Sequence, residues 1–262
     1  MTNWVIMPYL DNLDQTLTAA QDALAQTVPD LKLLLIDNGS QQRLQDMDDS
    51  RIYCWRHQPS LLSLAATWNT ALRFVWAAGG EHALVINNDV RLRRDTYQAL
   101  LQVLRATQAW FVSGVGTAPA QFDAEAILSY DGASLLQDHR GGPDFSCFLI
   151  AKGCHQQYPF DEGFVPAFCE DLDYHRRLML DGHRDKIFGV NLPFLHYGSQ
   201  TLKTMEPEKR AKKEQQISVG SRAHYHAKWG GDVNQERYTR PFDPTSDQDH
   251  VTTPELQYGQ AT

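Results

Sequence analysis

No stretch of this chain reaches the ~20 consecutive apolar residues that a membrane-spanning helix needs. No secretory leader is visible either: Met1-Thr2-Asn3-Trp4-Val5-Ile6 enters an apolar run at once, which predicts a cytoplasmic protein. Cysteine is scarce, with four in 262 residues (Cys54, Cys147, Cys154, Cys169) and no C-x-x-C pair. That excludes a zinc ribbon and a disulfide framework and predicts buried free thiols. Positive charge is also in deficit: 24 Lys and Arg against 32 Asp and Glu leave a formal charge of -8, which excludes a protein that coats nucleic acid by charge alone. Ser113-Gly114-Val115-Gly116-Thr117 lacks the third glycine of a dinucleotide fingerprint, and no internal repeat is present.

What remains is enough for one large α/β domain with its own core. Trp4 to Met7 reads as a first buried strand, stopped by Pro8, which cannot continue a central strand. Asp11 or Asn12 caps a helix with apolar positions Leu13, Leu17, Ala20 and Leu24. Leu31 to Ile36 is a second strand closed by Asp37-Asn38-Gly39-Ser40, and Ile52 to Trp55 a third. Leu64, Trp68, Ala71, Leu72 and Val75 mark a helix ending near Gly79-Gly80. The run from His82 to Ile86 ends abruptly in Asn87-Asn88-Asp89, and Leu100, Leu101, Val103 and Leu104 fit the helix after it. Strands alternating with helices predict βαβ units around a mostly parallel sheet.

The second half is less regular. Trp110 to Gly114, Phe145 to Ile150 and Ile187 to Val190 read as strands, while Ala118 to Gly142 is polar and uninformative. Leu172, His175, Leu178 and Met179 suit a helix stopped by Gly182. Lys203 to Lys228 is rich in lysine and arginine and reads as helical. Beyond Asp243 the chain has no lysine or arginine and two prolines, the pattern of a mobile acidic tail.

In an open parallel sheet, ligands sit beyond the carboxyl ends of the strands. Asp89 stands at such an end, where a hard cation holding a diphosphate needs oxygen ligands; Asn-Asn-Asp also serves as ordinary turn chemistry. Asp37 either starts its turn or accepts the N3 proton of a uracil or thymine ring. Glu170-Asp171-Leu172-Asp173 opens a helix, and acids there favour the positive end of the dipole. Three acids in four residues exceed what a cap needs, and a carboxylate at a pocket edge can take the proton of an attacking hydroxyl. His196 at a strand end is a packed core histidine or a ligand. Asn69 sits among Trp68, Ala71 and Leu72, with solvent exposure its simplest explanation. Lys209-Arg210-Ala211-Lys212-Lys213 lies among Glu206, Glu208 and Glu214 and reads as a solvated helix face rather than a phosphate contact.

Taken in order, these motifs resemble the glycosyltransferase family 2 proteins, inverting enzymes with a GT-A fold. The matching segments are Val5-Ile6-Met7-Pro8-Tyr9 with Asp11-Asn12; Ile36-Asp37-Asn38-Gly39-Ser40; Asn87-Asn88-Asp89-Val90 at the D-x-D position; Phe145 to Lys152; Tyr158 to Phe164; Cys169-Glu170-Asp171-Leu172-Asp173; and His196-Tyr197-Gly198-Ser199. The resemblance covers Trp4 to Ser199. It implies a GT-A type, Rossmann-like mixed and mostly parallel sheet flanked by helices, as a single domain over residues 1–202, with a nucleotide-sugar half (1–114) and an acceptor half (115–202). A helical basic extension (203–242) and a mobile acidic tail (243–262) would follow. The implied activity is inverting, hexosyltransferase-type transfer from a UDP or dTDP sugar to an acceptor hydroxyl. By the same resemblance Asp37 binds the base, with Pro8, Tyr9 and Asp11 near base and ribose and Asn69, Asn87 and Asn88 on the nucleotide sugar. Asp89 and His196 would hold Mn²⁺ or Mg²⁺, Asp171 would be the base, Glu170 would position the acceptor, and Asp173 would be structural. Asn87 departs from the pattern by replacing the first aspartate of D-x-D, as in the family's rhamnosyltransferase-like branch, so the metal site leans on the diphosphate and His196.

Two other classes compete. A nucleotidyltransferase wants a glycine-rich basic loop after the first strand, yet Pro8-Tyr9-Leu10-Asp11-Asn12 has neither glycine nor lysine. A non-catalytic nucleotide- or glycan-binding module would have lost Asp89 or Asp171. The expected partners are the nucleotide-sugar donor, an acceptor (a glycan, lipid-linked sugar, protein or modified nucleic-acid base) and an anionic partner at the basic segment 203–228.

Overall fold

In the computed structural model, residues 2–44, 47–57, 63–118, 136–137, 143–198 and 206–247 are described. The strands are β1 (Asn3–Tyr9), β2 (Leu31–Asp37), β3 (Ile52–Arg56), β4 (His82–Ile86), β5 (Val90–Arg91), β6 (Phe111–Thr117), β7 (Leu136–Gln137), β8 (Cys147–Ala151) and β9 (Ile187–His196). The helices are α1 (Leu13–Leu24), α2 (Leu64–Ala77), α3 (Thr96–Thr107), α4 (Lys152–Gln157), α5 (Glu170–Leu180), α6 (Pro207–Ile217) and α7 (Ala223–Trp229), with a π turn at Ser218–Arg222 joining the last two.

The central strands are apolar at successive residues because both faces of the sheet are covered. Their period of two sorts the side chains: Val5, Met7, Leu33, Leu35, Leu84, Ile86 and Leu149 enter one core. Trp4, Ile6, Leu34, Ile36, Ala83, Val85, Phe148 and Ile150 enter the other. The first core is roofed by α1 and α3, the second by α2, α4 and α5. A third cluster, Phe164, Cys169, Tyr225 and Trp229, seats α7 against the entry to α5.

Among the described residues the sheet order is β3-β2-β1-β4-β8-β6-β9-β5, with β7 also paired to β9. Strands β1, β2, β3, β4, β6 and β9 run one way, and β5, β7 and β8 run against them. Numbering runs down from β3 to β1 and then jumps to β4, a topological switch point where ligands bind in such sheets. Because β8 is antiparallel to β4, with Ile86 opposite Cys147, the residues just before β8 reach the same rim as the ends of the parallel strands.

Several local expectations need correction. Pro8 does not end the first strand: β1 continues to Tyr9, with Pro8 opposite Ile36. Its pairing with β4 stops at Ile6, so the missing N–H falls where β1 has no second neighbour. Asn12 occupies the N-cap of α1 without a side-chain cap bond, and the buried face of that helix is Thr16, Ala19, Ala20 and Ala23. Leu17, expected in the core, is exposed; small residues let α1 lie close to the sheet. Cys54 on edge strand β3 is exposed, whereas Cys147, Cys154 and Cys169 are the buried free thiols expected. The polar stretch 119–135, Ser199, Lys203 and the tail from 248 onward lie outside the described residues. Among the described residues no helix is long and apolar enough to cross a membrane.

Candidate active site

At the end of β2, Asp37 is 1 % exposed and its Oδ1 accepts from the backbone N–H groups of Gly39 (3.1 Å) and Ser40 (2.7 Å). The turn needs glycine at 39, where φ is +94°. Oδ2 makes no hydrogen bond and faces Arg56 Nε at 3.2 Å, so it keeps capacity for a further donor. The loop after β1 is braced to this turn: Asp11 N–H donates to Ser40 Oγ (2.8 Å), and Gln41 N–H donates to Asp11 Oδ1 (2.7 Å). Tyr9 is buried beside it, and its phenol is pushed well above the usual range by burial and then by the Asp37 charge. Pro8, Tyr9, Asp11 and Asp37 therefore form one corner of the rim.

The next corner is built on β4. Asn87 is half-buried, and its N–H donates to Ser146 O (2.9 Å). Asn88 is turned toward α1, its Nδ2 donating to Thr16 Oγ1 at 2.9 Å. Asp89 Oδ1 lies 3.4 Å from His196 Nε2, because β5 pairs Val90 with His196 and brings the two ends together. His196 Nδ1 is held by Ser146 Oγ at 3.2 Å, the outer-shell contact that orients a ligating imidazole. Ser146 is in turn fixed by Asp144, whose Oδ1 accepts the Ser146 N–H (2.8 Å) while Oδ2 accepts the Gly116 N–H (2.9 Å).

The third corner is the first turn of α5. Its entry passes through Phe168 (φ +80°) and Cys169 (φ +70°), an unusual pair of left-handed non-glycine residues. Glu170 is 4 % exposed, and its Oε2 has no hydrogen-bond partner. Burial, then the charge of Asp171, pushes its carboxyl well above the ordinary range. Asp171 is half-buried and folds back to accept its neighbour's Leu172 N–H at 2.8 Å. Burial raises its pKa too, and the nearby charges of Asp144 and Asp173 add to the rise. Asp144 thus acts on Asp171 through its charge and, through Ser146, is linked by hydrogen bonds to His196. Asp173 is fully buried and held by Arg177 Nε (2.9 Å), Lys228 Nζ (2.7 Å) and Trp229 Nε1 (3.0 Å).

Asn69 is corrected on its exposure. It is 1 % exposed rather than solvated, and its amide is used up internally. Nδ2 donates to Phe160 O (2.8 Å) and Glu162 Oε1 (2.9 Å), while Oδ1 accepts from Phe160 N–H (3.0 Å) and pairs with His155 Nε2 (3.0 Å). No atom of that amide is left for a donor sugar. Arg210 pairs with Glu214 within α6 at 2.8 Å, as on a solvated helix face. The residues that pattern reading missed are Arg56, Asp144 and Ser146. An acid three residues before the buried strand β8 was the available signal for Asp144.

Among the described residues no group of three or more His, Cys, Asp or Glu forms a metal cluster. Asp89 and His196 nonetheless fit one cation between them: 3.4 Å is the span of two ligands each ~2.1 Å from a shared ion. The remaining positions would fall to substrate oxygens and water, as is usual for small divalent cations with phosphates.

No protein-family model matches the chain, and no curated protein matches it. Solved structures do. S. aureus TarS superposes with a TM-score of 0.56 at 12 % identity, over 86 % of this chain and 43 % of that one. A Pyrobaculum calidifontis mannosyltransferase, solved with GDP-Man and Mn²⁺, gives 0.59 at 14 % identity over 85 % and 63 %. TarS 1-349 with UDP-GlcNAc gives 0.56 at 12 % identity over 84 % and 66 %. The chain therefore spans less than half of full-length TarS and under two thirds of the mannosyltransferase. What is shared is the fold: the mixed, mostly parallel GT-A, Rossmann-like sheet flanked by helices.

Proposed function

We propose that this protein is an inverting, hexosyltransferase-type glycosyltransferase that moves a sugar from a nucleotide diphosphate sugar of the UDP or dTDP type to an acceptor hydroxyl. The observation that carries the reading is the chain of contacts from Asp89 through His196 and Ser146 to Asp144 at the ends of β4, β9 and β8, the rim where ligands of such sheets bind. It supports a cation-binding pair at the rim beside the Asp37 corner, and the raised carboxyl of Asp171, which feels the Asp144 charge, is the candidate base. Neighbours in fold bind such donors, UDP-GlcNAc in TarS and GDP-Man with Mn²⁺ in the mannosyltransferase, which supports the donor class. The resemblance to glycosyltransferase family 2, in its rhamnosyltransferase-like branch, points the same way.

Each group has a separate task. Asp37 Oδ2 accepts an N–H of the base, and Tyr9 and Asp11 wall that corner. Asp89 and His196 hold Mn²⁺ or Mg²⁺. When bound, that ion supplies Lewis-acid neutralisation of the departing diphosphate. Asp171, made more basic by burial, takes the acceptor proton as the hydroxyl oxygen attacks the anomeric carbon opposite the diphosphate. One displacement inverts the centre, and no glycosyl-enzyme intermediate forms. Residues 1–202 would make up the transferase domain, with 203–242 as its extension.

A thermal-shift screen of nucleotide sugars with and without Mn²⁺ tests the donor half, and stabilisation by a UDP or dTDP sugar is expected. Asp171→Asn should then lower turnover ~100- to 10,000-fold, the usual worth of a general base, with donor affinity unchanged. Loss of donor affinity in that variant would remove Asp171 from the role.

A further inference from the structure

We propose that Lys228 is a positioning residue for Asp171, locking the first turn of α5 to the C-terminal helix α7. The inference rests on the reading of Asp171 as the base. Lys228 is 4 % exposed, and its ammonium bridges two carboxylates, Asp161 Oδ2 at 2.6 Å and Asp173 Oδ1 at 2.7 Å. A cation buried this deeply is tolerable only when it is paired and hydrogen-bonded, and here it has both partners. Asp173 sits two residues after Asp171 in the same helical turn. Asp161 belongs to the turn before Gly163, whose N–H it accepts at 2.9 Å, and it also meets His224 Nε2 at 3.0 Å. One ammonium from α7 thus draws together the two elements that flank the base.

The first turn of α5 relies on contacts of this kind. The helix has no side-chain cap, it is entered through two left-handed residues, and it carries three acids in four residues, whose charges repel when ionised. Lys228 and Arg177 offset that repulsion from one side only, the side of Asp173. The contact is continued by Trp229 Nε1 on Asp173 (3.0 Å), by Ser221 Oγ on Ala167 O (2.7 Å), and by the apolar cluster of Phe164, Cys169, Tyr225 and Trp229. The C-terminal helices then belong to the catalytic unit, and small displacements of a base are costly to rate even when binding is intact.

The full chain, Lys228→Met, Lys228→Arg and Asp161→Asn are compared with UDP-GlcNAc and dTDP-rhamnose as donors in the presence of Mn²⁺. Donor affinity is measured by calorimetry, turnover by nucleotide release, and amide exchange over residues 168–173 against that over β1 and β4. Lys228→Met is expected to keep donor affinity and the exchange of β1 and β4, to speed exchange over 168–173, and to lower kcat about 10–100-fold at unchanged donor KM. Lys228→Arg should recover part of kcat, and Asp161→Asn should give a weaker form of the same pattern. Wild-type exchange over 168–173 in Lys228→Met overturns the proposal, as does a uniform loss of protection that includes β1 and β4. If the wild type turns over neither donor, the glycosyl-transfer reading is what suffers, and the exchange data alone then decide whether Lys228 holds the helix.

Discussion

Glu170 and Asp171 are adjacent acids in unlike surroundings, and the difference is measurable. Glu170 is buried with an orphaned oxygen, so its neutral form is favoured in the fold and its pKa stands well above the unfolded value. A group of this kind gives its full stability below the ordinary glutamate pKa of ~4.3, and that stability is lost as pH rises through the raised value. Glu170→Gln removes the penalty. It should make the protein about 1–3 kcal/mol more stable than wild type at neutral pH, with the difference vanishing near the ordinary glutamate pKa. Urea unfolding of the two proteins at both pH values checks this; equal stability at neutral pH would show that Glu170 is comfortably ionised. For Asp171, the proposed base, the sign concerns rate, because a base works only when ionised. Burial first, then Asp144 and Asp173, lift its pKa, so the acid limb of kcat/KM should lie above the ordinary aspartate range of ~3.9. Asp144→Asn should move that limb downward.

At the scale of elements, Asn69 on α2 shows what a buried amide does for packing. Its amide bonds both N–H and C=O of Phe160, the carboxylate of Glu162 and the ring of His155, stitching α2 to the segment after α4. The imidazole is fixed as neutral, since Trp76 Nε1 donates to Nδ1 at 2.9 Å and burial holds its pKa down at about 4. Asn69→Ala strands several buried groups at once and should cost about 2–4 kcal/mol in urea unfolding. Donor affinity in the folded fraction should stay at the wild-type value. The sequence did not disclose this role, because a polar residue on an otherwise apolar helix face has the same pattern whether it meets solvent or a buried carbonyl. Strand direction was hidden for a similar reason. Cys147 to Ile150 reads identically parallel or antiparallel, and without its direction nothing brings Asp144 and Ser146 to the rim. Asp37, Asp89 and the acids of α5 were legible because each follows an apolar run at a point where the chain must turn.

Across the whole molecule, the rim joins two kinds of element, parallel strands that end there and an antiparallel strand that begins there. With the proposed function, that junction would make cation and donor binding interdependent. On the proposed reading Asp89 and His196 would be the two protein ligands, and Asn87 supplies no second carboxylate at the D-x-D position. A site with so few protein ligands depends on diphosphate oxygens to complete its coordination. Mn²⁺ should therefore bind weakly alone and more tightly once UDP is present. Linkage requires Mn²⁺ to strengthen UDP by the same factor, within the 5- to 150-fold range typical of coupled sites (~1–3 kcal/mol). Asp89→Ala should abolish the coupling and leave the residual affinity for UDP that the Asp37 corner provides. Arg56→Ala should do the reverse, weakening UDP with and without metal alike while the ratio of the two affinities is kept. Calorimetric titration of each ligand in the absence and presence of the other measures both factors. Identical Mn²⁺ affinity with and without UDP would mean that Asp89 and His196 form a structural ion pair, and that the rim recognises its ligand without a cation.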